Sequence, residues 1–308
     1  MSELPTYYEQ FGPFERRWKK ILNRIRLPYK KNPVFLIEIN WRLGDEIMAI
    51  PFYEALYKDL ESSDNPPQIH VWCTYPDLLI DNPYIQSVNK KTVVPDGYVL
   101  LRGVSRFVPR SSFYRDEFSI RSDFGTPKLY YSDWAYADKQ ELGISSAKMV
   151  ALCPGASWDT KRWSDEKWKN LAEDLKKNGY QVIELGNEGE AIGAGLDYTG
   201  KTSVREAALL LHRADIVVTH DSGLMHLSLA VGSSTLALFG PTNSEILIQE
   251  NPLLTIITNE RDCQGCWNKP KEMIEPGVCP LQITSCMDTI PVENVVDMVR
   301  EVSNKELH

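Results

Sequence analysis

Three short stretches hold the residues best suited to chemistry, and each follows an apolar run that gives way to a turn. Gly44-Asp45 comes after Val34 to Ile39. Pro154-Gly155-Ala156-Ser157 comes after Met149 to Cys153. Asp221-Ser222-Gly223-Leu224, with His226 close behind, comes after Ile216 to Thr219. A carboxylate such as Asp45 can take the proton from a hydroxyl. Glycines beside Ser157 and Ser222 let a phosphate approach backbone amides at the positive end of a helix dipole. Lys161 and Arg162, between Trp158 and Trp163, bring the positive charge that a departing diphosphate needs. Each stretch also has a plainer reading: Asp-Ser-Gly alone is an ordinary helix cap, and Lys-Arg alone is a solvated pair. Taken together they point to a phosphate-bearing ligand.

The elements that must position these residues alternate. The spacing predicts a strand at Val34 to Ile39, a helix over Glu46 to Leu60 with Pro51 near its start, and strands at Gln68 to Cys73 and Tyr98 to Leu101. Arg102, Arg106, Arg110, Arg115 and Arg121 fall in a loop-like stretch, either a solvated surface or an acceptor site for an anionic substrate. A linker over 130–146 leads to a second half with strands at Met149 to Cys153, Gln181 to Leu185, Ile216 to Thr219 and Thr235 to Phe239. Helices fall between them at Asp165 to Asn178, Ser203 to Arg213 and Asp221 to Val231. Strands alternating with helices make an α/β protein with doubly wound parallel sheets, whose ligands lie at the carboxyl ends of the strands. The division expected is a basic segment 1–33, a domain 34–140, a domain 147–290 and a C-terminal helix 291–308.

The length of 308 residues suits two domains, and 43% apolar with 25% charged residues is globular composition. A net charge of −8 argues against a protein that coats nucleic acid. Charge is uneven, however. Glu15 to Lys31 holds Arg16, Arg17, Lys19, Lys20, Arg24, Arg26, Lys30 and Lys31 against one acid, so it carries +7 and the remainder −15. Phe14, Trp18, Ile21, Leu22 and Ile25 share one helical stripe, so residues 14–31 read either as an anchor on an anionic membrane surface or as a docked helix with a solvated face. With no membrane span and no signal-peptide pattern in the sequence, a cytoplasmic protein, peripheral at the inner membrane if the anchor holds, is expected. Cys263, Cys266, Cys279 and Cys286 form Cys-x2-Cys-x12-Cys-x6-Cys. They are either four free thiols or ligands of a structural zinc or iron ion.

A competing motif is Gly195-Leu-Asp-Tyr-Thr-Gly200-Lys201-Thr202, which matches the P-loop pattern of NTPases. A P-loop must follow directly from a buried strand, and the preceding Glu188 to Ala194 is too polar and glycine-rich to be one.

In order along the chain, Gly44-Asp45-x5-Pro51, Pro154-Gly155-Ala156-Ser157-Trp158-x2-Lys161-Arg162-Trp163, Thr199-Gly200-Lys201-Thr202-Ser203, Asp221 to His226 and Phe239-Gly240-Pro241-Thr242 resemble bacterial heptosyltransferases, glycosyltransferase family 9. The resemblance implies the GT-B fold, with two Rossmann-like domains facing across a cleft. It implies inverting transfer of a heptose from an ADP-sugar, ADP-heptose by default, to a glycan or lipid-linked glycan acceptor of the lipopolysaccharide type. By the same resemblance Asp45 is the base and Lys161 joins Ser157 in holding phosphate. Gly44, Ala156, Thr202, Asp221, Ser222, Gly223, Leu224 and His226 line the nucleotide-sugar site, and Glu188 or Glu190 meets the ribose. Metal-dependent transferases of the other common fold usually carry Asp-x-Asp, which this sequence lacks, so diphosphate stabilisation by side chains and helix amides is expected. Relatives that modify autotransporter adhesins hold iron with C-terminal cysteines, often with a shorter middle gap. A non-catalytic sugar-nucleotide-binding protein of the same fold is the alternative reading.

Overall fold

The computed structural model describes residues 31–61, 65–101, 120–132, 148–248, 250–258, 261–269, 275, 277–279, 281 and 286–305. The basic stripe at 14–30, most of the arginine-bearing stretch and most of the expected linker lie outside them.

Two parallel sheets organise these residues. In the first half, β1 (Val34–Ile39), β2 (Gln68–Cys73), β3 (Ser87–Val88) and β4 (Gly97–Leu100) pair in the order β3-β2-β1-β4. Helix α1 (Leu43–Leu60) crosses from β1 to β2. In the second half, β5 (Met149–Cys153), β6 (Gln181–Glu184), β7 (Leu196–Asp197), β8 (Ile216–His220), β9 (Thr235–Phe239) and β10 (Leu254–Thr258) pair in the order β10-β9-β8-β5-β6-β7. Counted from β5, that is the Rossmann order 3-2-1-4-5-6, whose direction reverses between β5 and β8. The crossovers are α2 (Asp165–Lys177), α3 (Val204–Arg213), α4 (Gly223–Ala230) and the short α5 (Ser244–Leu247), and α6 (Val292–Lys305) packs against α2. This is the arrangement the GT-B expectation required.

Strands β5, β8 and β9 are buried at every position, as continuous apolar runs covered on both faces must be. Helix α2 shows the complementary pattern, burying Trp168, Leu171, Ala172 and Leu175 at helical spacing. Gly179 beyond it and Gly232 beyond α4 both take φ of 84°, the left-handed turn that stops a helix without Cβ strain.

The two halves share core. One apolar cluster runs from Ile37, Ile47 and Phe52 of the first half to Ala151, Leu210 and Leu227 of the second. Its centre is the packing of α1 on α4, where the helix starts nearly touch: a Cβ on Gly223 would lie 3.1 Å from Leu43 Cβ and 3.4 Å from Gly44 N. Small residues at this point let two helix N-termini converge on one place.

Candidate functional site

A cavity of about 460 Å³ opens where these starts meet. Arg42, Leu43, Gly44 and Tyr75 line it from the first half. Gly155, Ala156, Ser157 and Arg162 follow from the turn beyond β5, and Gly186, Asn187 and Glu190 from the turn beyond β6. Ser222, Gly223 and Leu224 come from the start of α4, and Thr202 and Ser203 from the start of α3. All these turns lie at carboxyl ends of strands, and two flank the point between β5 and β8 where strand order reverses.

Helix α1 begins at Leu43, three residues earlier than the periodicity suggests, so Gly44 and Asp45 belong to its first turn and Pro51 lies well inside it. Neither α1 nor α4 has a side-chain cap: Arg42 and Ser222, at the N-cap positions, make no capping bond. The expected capping of α4 by Asp221 or Ser222 is therefore not what forms. By contrast, α3 closes its own N-terminus with the Ser203–Glu206 capping box. No N-cap side chain takes the first amides of α4, at Gly223 and Leu224; in α1 the Asp45 amide bonds to the Arg42 carbonyl at 2.9 Å, and in α3 the Glu206 amide is taken by Ser203.

Asp221 is turned inward to a different task. Its Oδ2 takes the Lys161 ammonium at 2.5 Å and the Thr242 hydroxyl at 2.8 Å, with both ionic side chains almost wholly buried. Burial pushes the Asp221 carboxyl up, but the Lys161 charge and hydrogen bond, with His226 and Thr242, outweigh it and hold the carboxyl below its ordinary value. Lys161 also lies 4.3 Å from the centre of the Trp158 ring. Lys161, expected from the sequence to face the phosphate, has its ammonium bonded to Asp221, since a carboxylate so buried needs a cation at contact. Arg162 is the side chain that reaches the cavity. Its guanidinium donates twice to the Ala156 carbonyl, at 3.0 and 2.8 Å, and stands 3.9 Å from Glu190.

Of Glu188 and Glu190, Glu190 is the one that lines the cavity. Its Oε2 accepts the Asn187 amide at 2.7 Å, and a Cβ on Gly155 would lie only 2.0 Å from that oxygen, so this carboxylate lies across the glycine turn. Glu188 is exposed and does not line the cavity; its backbone packs against Gly200, whose φ of 68° turns the chain beneath it. Glu184, at the end of β6, shapes the same loop by accepting the amides of Ile192 at 2.7 Å, of Gly195 at 2.6 Å, and of Ala194.

His220 is fully buried under the Pro154–Ser157 turn. Its Nε2 accepts the Trp163 amide at 2.9 Å, so the ring is neutral. Burial drives its pKa down to about 3, with the Gly155 and Pro154 backbone pulling the other way. His226, partly buried, packs against Gly44, where a Cβ would meet its ring at 2.8 Å. Asp45 follows Gly44 in the same turn, partly exposed. Glu46 points elsewhere and is buried, and that burial lifts its pKa against the amide hydrogen bonds it receives.

The P-loop alternative fails on topology. Leu196–Asp197, in the middle of the motif, is β7 and pairs with β6, and Lys201 is tied to Asp197 at 2.5 Å. The cysteines do not assemble either: among the described residues no three His, Cys, Asp or Glu are grouped to hold a metal ion. Cys266 is buried and Cys263, Cys279 and Cys286 are partly exposed. Gly265 and Trp267 bond through their amides to the carbonyls of Gly240 and Pro241, and a Cβ on Gly240 would lie 2.7 Å from Cys286 Sγ. Cys286 therefore packs against the turn that follows β9.

Tyr75, Arg42 and Asn187 line the cavity without having been singled out from the sequence. The signal that could have found them is position alone, since each directly follows or closely trails a strand whose neighbours in the sheet carry site loops.

The second half of the chain, residues 125–275, matches glycosyltransferase family 9 (heptosyltransferase). The chain is 34% identical over 135 residues to lipooligosaccharide heptosyltransferase 2 of Haemophilus influenzae, an alignment covering 39% of each chain. The chain thus spans about two fifths of the length of this relative. Among solved structures, the Escherichia coli ADP-heptose lipopolysaccharide heptosyltransferase II superposes with a TM-score of 0.66 at 18% identity, over 90% of this chain and 100% of that one. The iron-containing dodecameric glycosyltransferase TibC from enterotoxigenic Escherichia coli H10407 superposes with a TM-score of 0.69 at 19% identity, over 91% of this chain and 78% of that one. These superpositions establish a shared fold.

Proposed function

We propose that this chain, whose residues 125–275 match glycosyltransferase family 9, is an inverting glycosyltransferase moving a heptose from an ADP-sugar to a hydroxyl of a lipopolysaccharide-type glycan. The observation that carries this reading is the convergence of two helix starts without side-chain caps, α1 and α4, on one cavity walled by Arg162 and Glu190. A diphosphate suits those amides and that guanidinium. A carboxylate over a glycine turn suits the paired hydroxyls of a ribose, which can donate to both its oxygens.

In the proposed reaction the nucleotide sugar lies against the second half, with its diphosphate at Ser222–Leu224 and Ser157, its ribose at Glu190, and Thr202 on the same wall. Lys161 acts one layer deeper than a phosphate ligand. It fixes Asp221 and so the turn that presents the α4 amides. Asp45 takes the proton of the acceptor hydroxyl, and the oxygen attacks the anomeric carbon from the side opposite the diphosphate. The bond from that carbon to the phosphate oxygen breaks with its electron pair leaving on ADP, and Arg162 with the α4 amides offsets the new charge. His226, between Gly44 and Asp221, ties the base's turn to the donor's.

The test is transfer from ADP-heptose to a heptose-deficient lipopolysaccharide core. Asp45→Asn is expected to bind ADP-heptose with unchanged affinity while losing at least about 100-fold in kcat. Wild-type turnover in that variant removes Asp45 as the base. Binding of ADP-heptose with no turnover by the wild-type chain favours the non-catalytic sugar-nucleotide-binding alternative.

A further inference from the structure

Glu46 follows the proposed base directly, and no step of the reaction uses it. It is 3% exposed, a depth at which a carboxylate needs donors in place of water. Its Oε1 accepts the amides of Thr74 at 2.9 Å and Trp41 at 3.2 Å, and its Oε2 accepts that of Tyr75 at 2.9 Å. These donors belong to two separate turns. Trp41 lies in the one after β1, which continues through Arg42 and Gly44 into the cavity wall, and Thr74 and Tyr75 lie in the one after β2, which puts Tyr75 on that wall. Successive side chains on a helix are about 100° apart. With Asp45 partly exposed, Glu46 turns inward beneath both loops.

We infer that Glu46 is a positioning residue for the acceptor half of the site: its buried carboxylate clamps the turns after β1 and β2 together and so fixes Tyr75 and the first turn of α1 relative to each other. The inference rests on Asp45 and the first-half wall being the acceptor side. A carboxylate suits this role because both of its oxygens accept and three N–H groups converge on it. Glutamine has the same shape and one acceptor oxygen. Turned toward Trp41 and Thr74, that oxygen leaves the NH2 facing the Tyr75 amide; reversed, the NH2 faces two amides. The first arrangement keeps more bonds, so Glu46→Gln releases Tyr75 selectively.

The experiment compares wild type, Glu46→Gln, Tyr75→Ala and the double variant with ADP-heptose and a heptose-deficient lipopolysaccharide core. Glu46→Gln is expected to raise acceptor KM roughly tenfold, the scale of one lost charge-assisted hydrogen bond. ADP-heptose affinity by calorimetry should stay within about twofold. The double variant should be no worse than Tyr75→Ala alone, as expected of residues acting through one contact. Hydrogen–deuterium exchange should show faster exchange at the Tyr75 amide with α4 unchanged. Wild-type acceptor KM, donor affinity falling in step with it, or an unchanged Tyr75 amide overturns the inference. If Glu46→Gln does not fold, Glu46→Asp is measured instead. It keeps the charge one methylene short of both turns, and the same shifts are expected. A wild type that transfers nothing refutes the functional reading, and the exchange measurement still decides the role of Glu46.

Discussion

Replacing Lys161 by methionine isolates the buried ion pair on which the donor side is built. Methionine keeps most of the stem and its packing near Trp158 but removes the charge 2.5 Å from Asp221. The carboxylate, whose side chain is 7% exposed, then keeps the Thr242 hydroxyl as a donor and has no cation at contact. Leaving one partner of a buried pair uncompensated costs about 3–5 kcal/mol. At ~2 °C per kcal/mol for a chain of this size, the unfolding midpoint falls by at least ~6 °C. The pH dependence changes sign as well. In the wild type the Asp221 pKa is depressed, so its contribution is present above the unfolded carboxyl value of ~3.9 and is lost as pH falls through the folded value. In Lys161→Met, burial prevails and raises the folded pKa, so the deficit is small below about pH 4 and grows until pH passes that raised value. Urea or thermal unfolding of both proteins at pH 5 and 7.5 reads this directly, with the gap wider at pH 7.5. Adding Asp221→Asn to Lys161→Met removes the orphaned charge and should recover much of the loss. A single variant as stable as wild type at pH 7.5, or a double variant no better than the single, refutes the argument that this pair holds the turn.

Other outcomes follow from neighbouring geometry. Gly155→Ala puts a Cβ 2.0 Å from Glu190 Oε2, so the carboxylate must leave the turn, and ADP-heptose affinity measured by calorimetry should fall about tenfold or more with the fold intact by circular dichroism. Arg162→Gln should lower kcat more than it raises donor KM, by roughly 10–100-fold, since the guanidinium acts on charge that develops in the transition state; a pure KM effect would make it a ground-state contact. Removing residues 1–31, which carry the basic stripe, should weaken co-sedimentation with phosphatidylserine vesicles and leave binding to neutral vesicles unchanged; equal binding by both forms counts against an anchor.

Much of this molecule is written in its sequence because the signals are local. Strands such as Met149–Cys153 and Thr235–Phe239 are unbroken apolar runs, and those runs predict the strands observed. Gly179 marks the turn after α2 because no Cβ can sit comfortably at its φ of 84°. The glycine turns of the site could be named for the same reason, and their order along the chain was enough to suggest the family. The direction of side chains was not legible. Lys161 and Arg162 are adjacent and alike in charge, and only the position of buried Asp221, 60 residues along the chain, sends the lysine inward and leaves the arginine on the wall. Glu188 and Glu190 differ in placement because β7 pairs with β6 and folds the intervening loop so that Glu190 returns over Gly155. Asp221 and Ser222 read as helix caps by type, and tertiary contacts instead send Asp221 to Lys161 and leave the α4 amides open. Glu46 is legible only as the start of a helix, and its burial depends on Thr74 and Tyr75, which reach it only once β1 and β2 lie side by side. Turns, periodicity and composition are set by neighbours in sequence. The partner of a buried charge is set by the packing of sheets and helices, which alone decides which donors replace the water that the charge has lost.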